Sequence, residues 1–259
     1  MPFTDFEGIR LHYQISGDSS LPVLVFSNSL GANLSMWEPQ LAALDPHFRI
    51  LRYDHRGHGQ SSAPAGPYTI ENLGRDVLHL LDAHQIERAS FCGISMGGVI
   101  GQWLGIQAPD RLHKLILANT AAKIGVPEVW NARIELVLRE GLDPVIPGTL
   151  ERWFTPAFHA SHPDAIQATA AMLRAASVPA YAACCAALRD ADFRVSLSAI
   201  SVPTLVLAGR YDPVTTPEDG RYLAENIPAA RYAELAAAHL SNVEAATAFN
   251  LQMRDFLRA

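Results

Sequence analysis

The sequence predicts an α/β fold: a mostly parallel central sheet flanked by helices, with a helical insertion. Short β-rich runs alternate with helical patterns in the first and last parts of the chain, and this alternation is typical of a parallel sheet covered by helices. Between Lys123 and Arg194 the strand patterns vanish, and alanine-rich or amphipathic stretches replace them. This insertion interrupts a single core, so we expect it to lie over one end of the sheet as a cap.

The first part of the chain supplies most of the predicted strands. The early strands, which could form an antiparallel edge, are followed by a helix, a strand, a second helix from about Met96 to Gln107, and a further strand. The last of these strands is apolar, as expected of a buried parallel strand. In chain order the segments are IRLHYQIS, PVLVFSNS, FRILRYDHRG, ENLGRDVLHLLDAHQ, ASFCG, the Met96 helix and HKLILANT.

The insertion and the last part complete the predicted organisation. Residues 1–122 form the first part of the core, 123–194 the helical cap, and 195–259 the second part of the core. The cap contains four helical stretches: PEVWNARIELVLREG, GTLERWF, HPDAIQATAAMLRAAS and PAYAACCAALRDADF. After the cap we expect the strand VPTLVLAG, the helix TTPEDGRYLAENIP, the strand ARYAEL and a closing helix across ATAFNLQMRDFLRA.

Composition excludes several classes of partner. The 259-residue chain is 49% hydrophobic, carries a formal charge of −6 and has no cluster of lysine and arginine, which argues against nucleic acid and anionic membranes as partners. The start shows no secretory signal, so we expect a cytoplasmic protein. The three cysteines suit small buried residues in a reducing compartment. The oligomeric state stays undetermined.

A serine between glycines marks the candidate active site. Ser95 lies in GISMG, where an apolar strand pattern gives way to a helical one. Alone, G-x-S-x-G is a weak signal; in this setting it predicts a sharp strand-to-helix turn that exposes a nucleophilic hydroxyl above the sheet. Side chains at Gly93 and Gly97 would collide with the backbone of that turn. The alternative is that Ser95 is only a turn residue.

A serine hydroxyl needs a base and an orienting acid, and both occur later in the chain. Asp212 follows the strand TLVLAG, and His239 follows the strand RYAEL. The order Ser, Asp, His and the position of each residue at the carboxyl end of a parallel strand predict a catalytic triad. Asp212 could instead only form a turn before Pro213, in which case Glu218 or Asp219 would be the substitute acid.

The oxyanion hole is expected to use two backbone N–H groups. Met96 follows the nucleophile, and Leu30 lies in the loop FSNSLGANLSMW after an early strand. The segment DHRGHGQS, Asp54 to Ser61, has two histidines, and we interpret it as a loop held by hydrogen bonds of Asp54 and Arg56.

With these residues in place, the chain resembles the α/β-hydrolase superfamily over essentially its whole length, and within it the 3-oxoadipate enol-lactonases. The narrower resemblance is carried by the segments FSNSLG, YDHRGHGQS, GISMGG, ANTAAKIG, WNARI, ERWFTPAF and AAHLSNVE. Many relatives begin the oxyanion loop with His-Gly, whereas this chain has Asn28-Ser29, as is typical of the enol-lactonases. The serine at the turn argues against a haloalkane dehalogenase, which needs a carboxylate nucleophile.

The resemblance implies a small anionic substrate, an enol-lactone that bears a carboxylate. Because the net charge of −6 would not attract an anion, a local cation is expected. Arg133 is the first candidate and Arg152 the second, although either could be an ordinary solvent-facing arginine of a cap helix. The further substrate-binding candidates are two possible apolar walls and one residue of the oxyanion loop: Trp130, Trp153 and Ser29. No metal or organic cofactor is expected.

Two alternatives stay open at this point. The first is a carboxylesterase or C–C bond hydrolase on the same scaffold, which would prefer neutral aryl esters. The second is a ligand receptor in which the triad binds or slowly modifies a small signal molecule. Fast multiple turnover would eliminate the receptor.

Overall fold

The computed structural model describes residues 2–259 and contains one eight-stranded sheet. The sheet has the strand order β1-β2-β4-β3-β5-β6-β7-β8. β1 and β2 pair antiparallel, as do β2 and β4, and every other neighbouring pair is parallel, which confirms the mostly parallel sheet. The strands are β1 Phe3–Phe6, β2 Ile9–Ser16, β3 Val23–Ser27, β4 Arg49–Tyr53, β5 Ala89–Ile94, β6 Leu112–Ala118, β7 Thr204–Gly209 and β8 Arg231–Leu235.

The helices complete the alternation and supply the cap. Three of the α-helices precede β6, five lie between β6 and β7, and three follow β7. They are α1 Glu38–Leu44, α2 Ile70–Ala83, α3 Met96–Gln107, α4 Pro127–Glu140, α5 Ile146–Trp153, α6 Pro156–Ser161, α7 Pro163–Arg174, α8 Val178–Asp190, α9 Pro217–Asn226, α10 Ser241–Glu244 and α11 Ala246–Arg258.

The core lies around the central strands. Every residue of β5 and β7 is buried, so both faces of the sheet are covered there, as expected for parallel strands. The three cysteines are buried and unpaired. This rigid centre places the carboxyl ends of β3, β5, β6 and β7 at one edge of the sheet.

Some short elements were not predicted. The four-residue strand β1 and the short helices α1 and α6 carry too few residues to show a period of hydrophobic residues. α6 begins after Thr155, whose hydroxyl accepts a hydrogen bond from the Phe158 N–H, with proline at the first helical position. The cap therefore has five α-helices where the sequence predicted four.

The segment from Ala89 to Pro109, uncharged and apolar, forms β5 and α3 in the centre of the fold. Among residues 2–259, no single helix has the length and hydropathy to cross a membrane. Only α7 and α8, bent by 95° at their junction, pass such a test as a pair.

Ser95 lies at a strained turn between β5 and α3. Its φ of 57° and ψ of −117° are unfavourable for any residue with a Cβ, and hydrogen bonds to neighbouring strands maintain these angles. The Ser95 N–H donates to the carbonyls of Ala118 and Asn119 at 3.0 and 3.1 Å, and the Gly97 N–H donates to Asn28 at 3.0 Å. These bonds join the ends of β3, β5 and β6 around the serine.

The space around this turn admits only glycine at positions 93 and 97. A Cβ on Gly93 would lie 2.0 Å from the Gly97 carbonyl oxygen, and a Cβ on Gly97 would lie 2.1 Å from the Ser27 carbonyl oxygen. Both obstacles are backbone atoms, which cannot move aside as a flexible side chain can.

We expect Gly93→Ala to lower the free energy of unfolding by at least about 3 kcal/mol, because the new methyl group overlaps backbone. The matched control is Gly105→Ala in α3, where a Cβ would meet only side-chain carbons of Ile200 and Leu115 at 3.1 to 3.3 Å. There the gain in helix propensity, about 1 kcal/mol, offsets the contact. Urea denaturation measures both; equal losses would contradict the explanation.

Candidate active site

Asp212 and His239 lie in direct contact at the carboxyl end of the sheet. Asp212 lies in the turn after β7, and His239 follows β8, the neighbouring strand. The Asp212 Oδ2 lies 2.7 Å from the His239 Nδ1, and both residues are buried. Since the carboxylate accepts, the Nδ1 carries the proton, and the Nε2 is left as the basic nitrogen. The substitute acids lie elsewhere: Glu218 pairs with Arg221, and Asp219 caps α9.

Two residues that the sequence analysis missed hold the Asp212 carboxylate. The Asn119 Nδ2 and the Thr215 hydroxyl donate to Oδ2 at 3.0 and 2.8 Å. The N–H groups of Val214 and Thr215 donate to Oδ1 at 2.8 and 3.1 Å. Asn119 directly follows β6, the strand beside β7, so a polar residue after an apolar strand was the available signal.

The charge of Asp212 is stabilised by its partners. Burial alone would raise the pKa of this carboxyl, but the electrostatic interaction with His239 and the hydrogen bonds from His239, Asn119 and the Val214 N–H outweigh it. The pKa of Asp212 therefore lies below its usual range, and the group is ionised at neutral pH. Such a carboxylate can orient the imidazole and stabilise its protonated form.

Ser95 and His239 line one small cavity beneath the cap. It has a volume of about 50 Å³, room for no more than a few water molecules. Among the described residues, no side-chain hydrogen bond of the Ser95 hydroxyl is formed, which leaves it open to the cavity. In enzymes, the hydrogen bond between a catalytic hydroxyl and its histidine often becomes short only when a substrate is bound.

Two backbone N–H groups close to Ser95 have no partner among the described residues. Leu30 lines the cavity, and Met96 is the first residue of α3, directly after Ser95. Within residues 2–259, neither N–H donates to another backbone or side-chain acceptor, whereas the adjacent Gly31, Ala32 and Gly97 N–H groups all do. Unpaired N–H groups beside the Ser95 hydroxyl suit the binding of an anionic oxygen.

His58 and Asp54 hold the loop that carries Leu30. The Gly31 N–H donates to the His58 Nε2 at 2.9 Å, so this ring nitrogen is unprotonated. The His58 Nδ1 lies 3.2 Å from the Arg56 carbonyl oxygen. Asp54 accepts from the Leu34 N–H at 2.8 Å and lies 2.7 Å from the His12 Nδ1.

Arg56 and Asn28 hold neighbouring parts of the same region. Arg56 forms a buried ion pair with Asp76 of α2, through its Nε at 2.7 Å and its Nη2. The Asn28 side chain donates to the Tyr53 carbonyl and accepts from the Trp37 indole, both at 2.8 Å. The segment DHRGHGQS and the Asn28 side chain therefore hold the loop that carries Leu30 through hydrogen bonds, and they do so from outside the cavity.

All five substrate-binding candidates line the cavity of Ser95: Ser29, Trp130, Arg133, Arg152 and Trp153. Trp153 lies 6.2 Å from His239 between ring centroids. The structure adds five lining residues that the sequence analysis did not select: Ile124, Thr149, Tyr181, Leu188 and Val214. These come from the cap and from the loops before it and after β7, whose proximity depends on how the cap packs.

Arg133 is held in place by hydroxyl groups. Its Nε donates to the Tyr181 hydroxyl at 2.9 Å and its Nη2 to the Thr149 hydroxyl at 2.8 Å. These bonds join α4 to α8 and α5. Burial raises the pKa of Tyr181 to about 12, so this phenol stays neutral. The guanidinium keeps unused N–H groups, because it has five and these contacts use two.

The cap is tied to the histidine loop by one carboxylate. Glu244 accepts from the Thr155 hydroxyl and N–H, at the end of α5, and from the Ala238 N–H at 2.8 Å. The Leu240 N–H also donates to the Trp153 carbonyl at 3.0 Å. Hydrogen bonds from the residues before and after His239 therefore hold the cap against this loop.

Within residues 2–259, no group of three or more histidine, cysteine or acidic side chains is arranged to hold a metal ion. Burial raises the pKa of Cys92, Cys184 and Cys185, so none is a ready thiolate.

The fold and this site define the class. The chain belongs to the α/β-hydrolase family, whose sequence pattern, described as alpha/beta hydrolase fold, matches residues 22–179. Two relatives from Acinetobacter baylyi, 3-oxoadipate enol-lactonases 2 and 1, are 49% and 45% identical to it. The first alignment covers 94% of this chain and 91% of the relative, and the second 93% and 90%.

Solved structures agree with this placement. The enol-lactonase from Burkholderia xenovorans LB400 has a TM-score of 0.98 and 46% identity, with full coverage of both chains. A malate-bound esterase from Thermogutta terrifontis has a TM-score of 0.90 and 29% identity, over 99% of this chain and 96% of its own.

The hydrogen bond from the Gly31 N–H to the buried His58 Nε2 should make the free energy of unfolding depend on pH. Burial lowers the pKa of His58 below its usual value of about 6.5, so the unfolded chain binds the proton more tightly than the folded chain does. The free energy of unfolding should therefore fall as the pH decreases below about 6.5. His58→Gln removes this titration and keeps a side-chain acceptor. We expect a smaller fall between about pH 7 and pH 5 in urea denaturation.

His58→Leu should lose about 1–3 kcal/mol at neutral pH, because the buried Gly31 N–H loses its acceptor. His162→Gln, at an exposed histidine, is the control. Wild-type pH dependence in His58→Gln would refute the assigned protonation state.

Proposed function

We propose that this chain hydrolyses 3-oxoadipate enol-lactone to 3-oxoadipate through an acyl-enzyme on Ser95. The observation that carries the proposal is the charge of the cavity: it is lined by Ser95, His239 and two arginines, and no carboxylate side chain lines it. This suits an acyl substrate with a negative charge. The names of the Acinetobacter and Burkholderia relatives support the lactone as that substrate.

The arginines of the cap divide into two kinds. Four of the six lie within ion-pair distance of carboxylates: Arg139, Arg174, Arg189 and Arg194. Arg133 and Arg152 have no such partner within the described residues, and both line the cavity. Two cations without a carboxylate, in a chain of net charge −6, make a local site for an anion. The malate in the Thermogutta esterase is a dicarboxylate of comparable chemistry.

In the first half of the reaction, Ser95 attacks the lactone carbonyl carbon while His239 Nε2 takes the hydroxyl proton. Asp212 holds the Nδ1 proton and stabilises the imidazolium. The Leu30 and Met96 N–H groups bind the negative oxygen of the tetrahedral intermediate. When the ring C–O bond breaks, the ring oxygen leaves as an enolate, and the imidazolium returns the proton to it. The resulting enol tautomerises to the ketone and remains attached through the ester to Ser95.

In the second half, His239 removes a proton from water, and the hydroxide attacks the same carbonyl carbon. The Ser95 oxygen leaves and recovers its proton from the imidazolium. The product is a dicarboxylate, because the former lactone carbonyl becomes the second carboxylate. Arg133 binds the carboxylate present from the start and so sets the position of the ring.

A carboxylesterase is the second candidate function. The apolar walls made by Trp130, Trp153 and Leu188 favour it, because they would accept a neutral acyl chain equally well. The two functions differ in the value of kcat/KM for the anionic lactone against a neutral aryl ester, and a clear preference for the neutral ester would select the esterase.

Ser95→Ala should reduce turnover of purified 3-oxoadipate enol-lactone by at least about a thousandfold, because the acyl-enzyme cannot form. The loss of ultraviolet absorbance of the lactone measures this, side by side with the wild type. Unchanged circular dichroism and thermal unfolding would show that the variant is folded. A variant that retains most of the activity would contradict the assigned nucleophile.

Arg133→Gln should raise the KM for the lactone by about tenfold to a hundredfold, which corresponds to the loss of one charge-assisted hydrogen bond of about 1.5–3 kcal/mol. Arg133→Lys keeps the charge but loses the planar pair of donors, so it should recover only part of the affinity. Hydrolysis of p-nitrophenyl acetate is the control, since it has no carboxylate. A parallel loss on that neutral ester would mean that Arg133 only supports the cap.

A further inference from the structure

A second, larger space lies outside the cavity of Ser95. It has a volume of about 560 Å³ and lies between α4 and α5, against the loop before α4 and Val214. We call it the vestibule. It shares five lining residues with the inner cavity: Ile124, Trp130, Arg133, Arg152 and Val214. The two spaces are therefore neighbours across a single wall, and that wall carries both unpaired arginines.

The inner cavity alone is too small for the proposed substrate. About 50 Å³ accommodates a few water molecules, whereas a lactone ring with a carboxylate arm occupies several times that volume. When the reacting carbonyl lies at Ser95, the inner cavity cannot hold the rest of the ligand. Unless the cap moves, that part of the ligand must extend past the shared lining residues into the vestibule.

The two arginines of the wall differ in how they are held. Arg133 is fixed by Tyr181 and Thr149, as described above. Arg152 makes no side-chain hydrogen bond or ion pair with any described residue, and it is only half-buried. Its Nη1 lies over Gly148, where an added Cβ would be only 3.3 Å away. A small residue at this position leaves the Arg152 guanidinium room to lie along the vestibule.

The vestibule also has the charge of an anion site. Among the described residues, Arg133 and Arg152 are its only charged lining residues, and its remaining lining is apolar. Burial lowers the pKa of Arg152, and the charge of Arg133 lowers it further, so the two cations repel each other. A carboxylate between them would relieve this repulsion.

We propose that Arg152 forms an outer carboxylate site in the vestibule, which binds anionic acyl substrates before their carboxylate reaches Arg133 and releases the dicarboxylate product. The identity of the natural ligand rests on the proposed function, whereas the outer site requires only an anionic ligand. Arg152 acts on entry and exit, and Arg133 positions the ligand for the reaction. Removing Arg152 should therefore slow association without changing the chemical step.

The test compares two esters of equal acyl length, mono-p-nitrophenyl adipate, which carries a carboxylate, and p-nitrophenyl hexanoate, which does not. In Arg152→Gln we expect kcat/KM for the anionic ester to fall about fivefold to tenfold at low ionic strength. The difference should shrink in about 0.5 M KCl, because salt screens the charge. Hydrolysis of the hexanoate should fall much less in this variant, because that ester carries no charge for Arg152 to attract.

Arg139→Gln is the matched control. It removes the same charge from the cap, but Arg139 is exposed on α4 and paired with Glu140. An equal effect in both variants, or none in Arg152→Gln, would overturn the outer site, because the effect would then not depend on the vestibule. A loss of kcat on both esters would also overturn it, since Arg152 would then support the structure of the site.

Binding without turnover gives an independent comparison. Adipate titrated into each protein and followed by tryptophan fluorescence reports on the shared wall, where Trp130 lies. We expect Arg152→Gln, but not Arg139→Gln, to bind adipate about fivefold to tenfold more weakly. Equal affinity would overturn the proposal. Absence of lactone hydrolysis together with a selective effect of Arg152 on both adipate measurements would refute the proposed function and leave the outer site standing.

Discussion

The close approach of backbone around Ser95 is the constraint on which the site depends. The serine has a left-handed φ because its N–H donates to the end of β6, while the Gly97 N–H two residues later donates to the end of β3. Three strands are thereby joined at one point, and any side chain at Gly93 or Gly97 would separate them. The same turn starts α3 and so leaves the Met96 N–H without a helical acceptor. One turn therefore determines both the position of the Ser95 hydroxyl and the unpaired Met96 N–H.

Two buried carboxylates, Asp212 and Asp54, hold the backbone in the rest of the site. Asp212 accepts five hydrogen bonds, from His239, Asn119, Val214 and two groups of Thr215. Asp54 accepts from the oxyanion loop and from the loop that follows β4. A buried carboxylate is costly unless its oxygen atoms are paired, so each one determines the positions of the backbone groups around it.

The cap contributes charge more than it contributes catalytic groups. Glu244 and the Leu240 N–H hold it over His239, and Arg133 joins three of its helices. With its other arginines paired on the outer surface, the cap presents two unpaired cations to the interior. An acidic protein can in this way bind an anion, because the local field in a partly closed space is stronger than the screened field of distant surface charges.

The sequence alone determined the alternation of strands and helices, the helical insertion and the polar residues at strand ends, because hydrophobic period and turn residues are local properties. Ser95, Asp212 and His239 could be selected for that reason. Asn119 carries the same local signal, but its contact with Asp212 depends on β6 lying beside β7. Thr215, Tyr181 and Thr149 could not be selected, since their roles depend on the turn after β7 and on cap helices packing over the loops. Only the tertiary structure decided which arginines lack a carboxylate partner, because that depends on side chains brought together from distant parts of the chain.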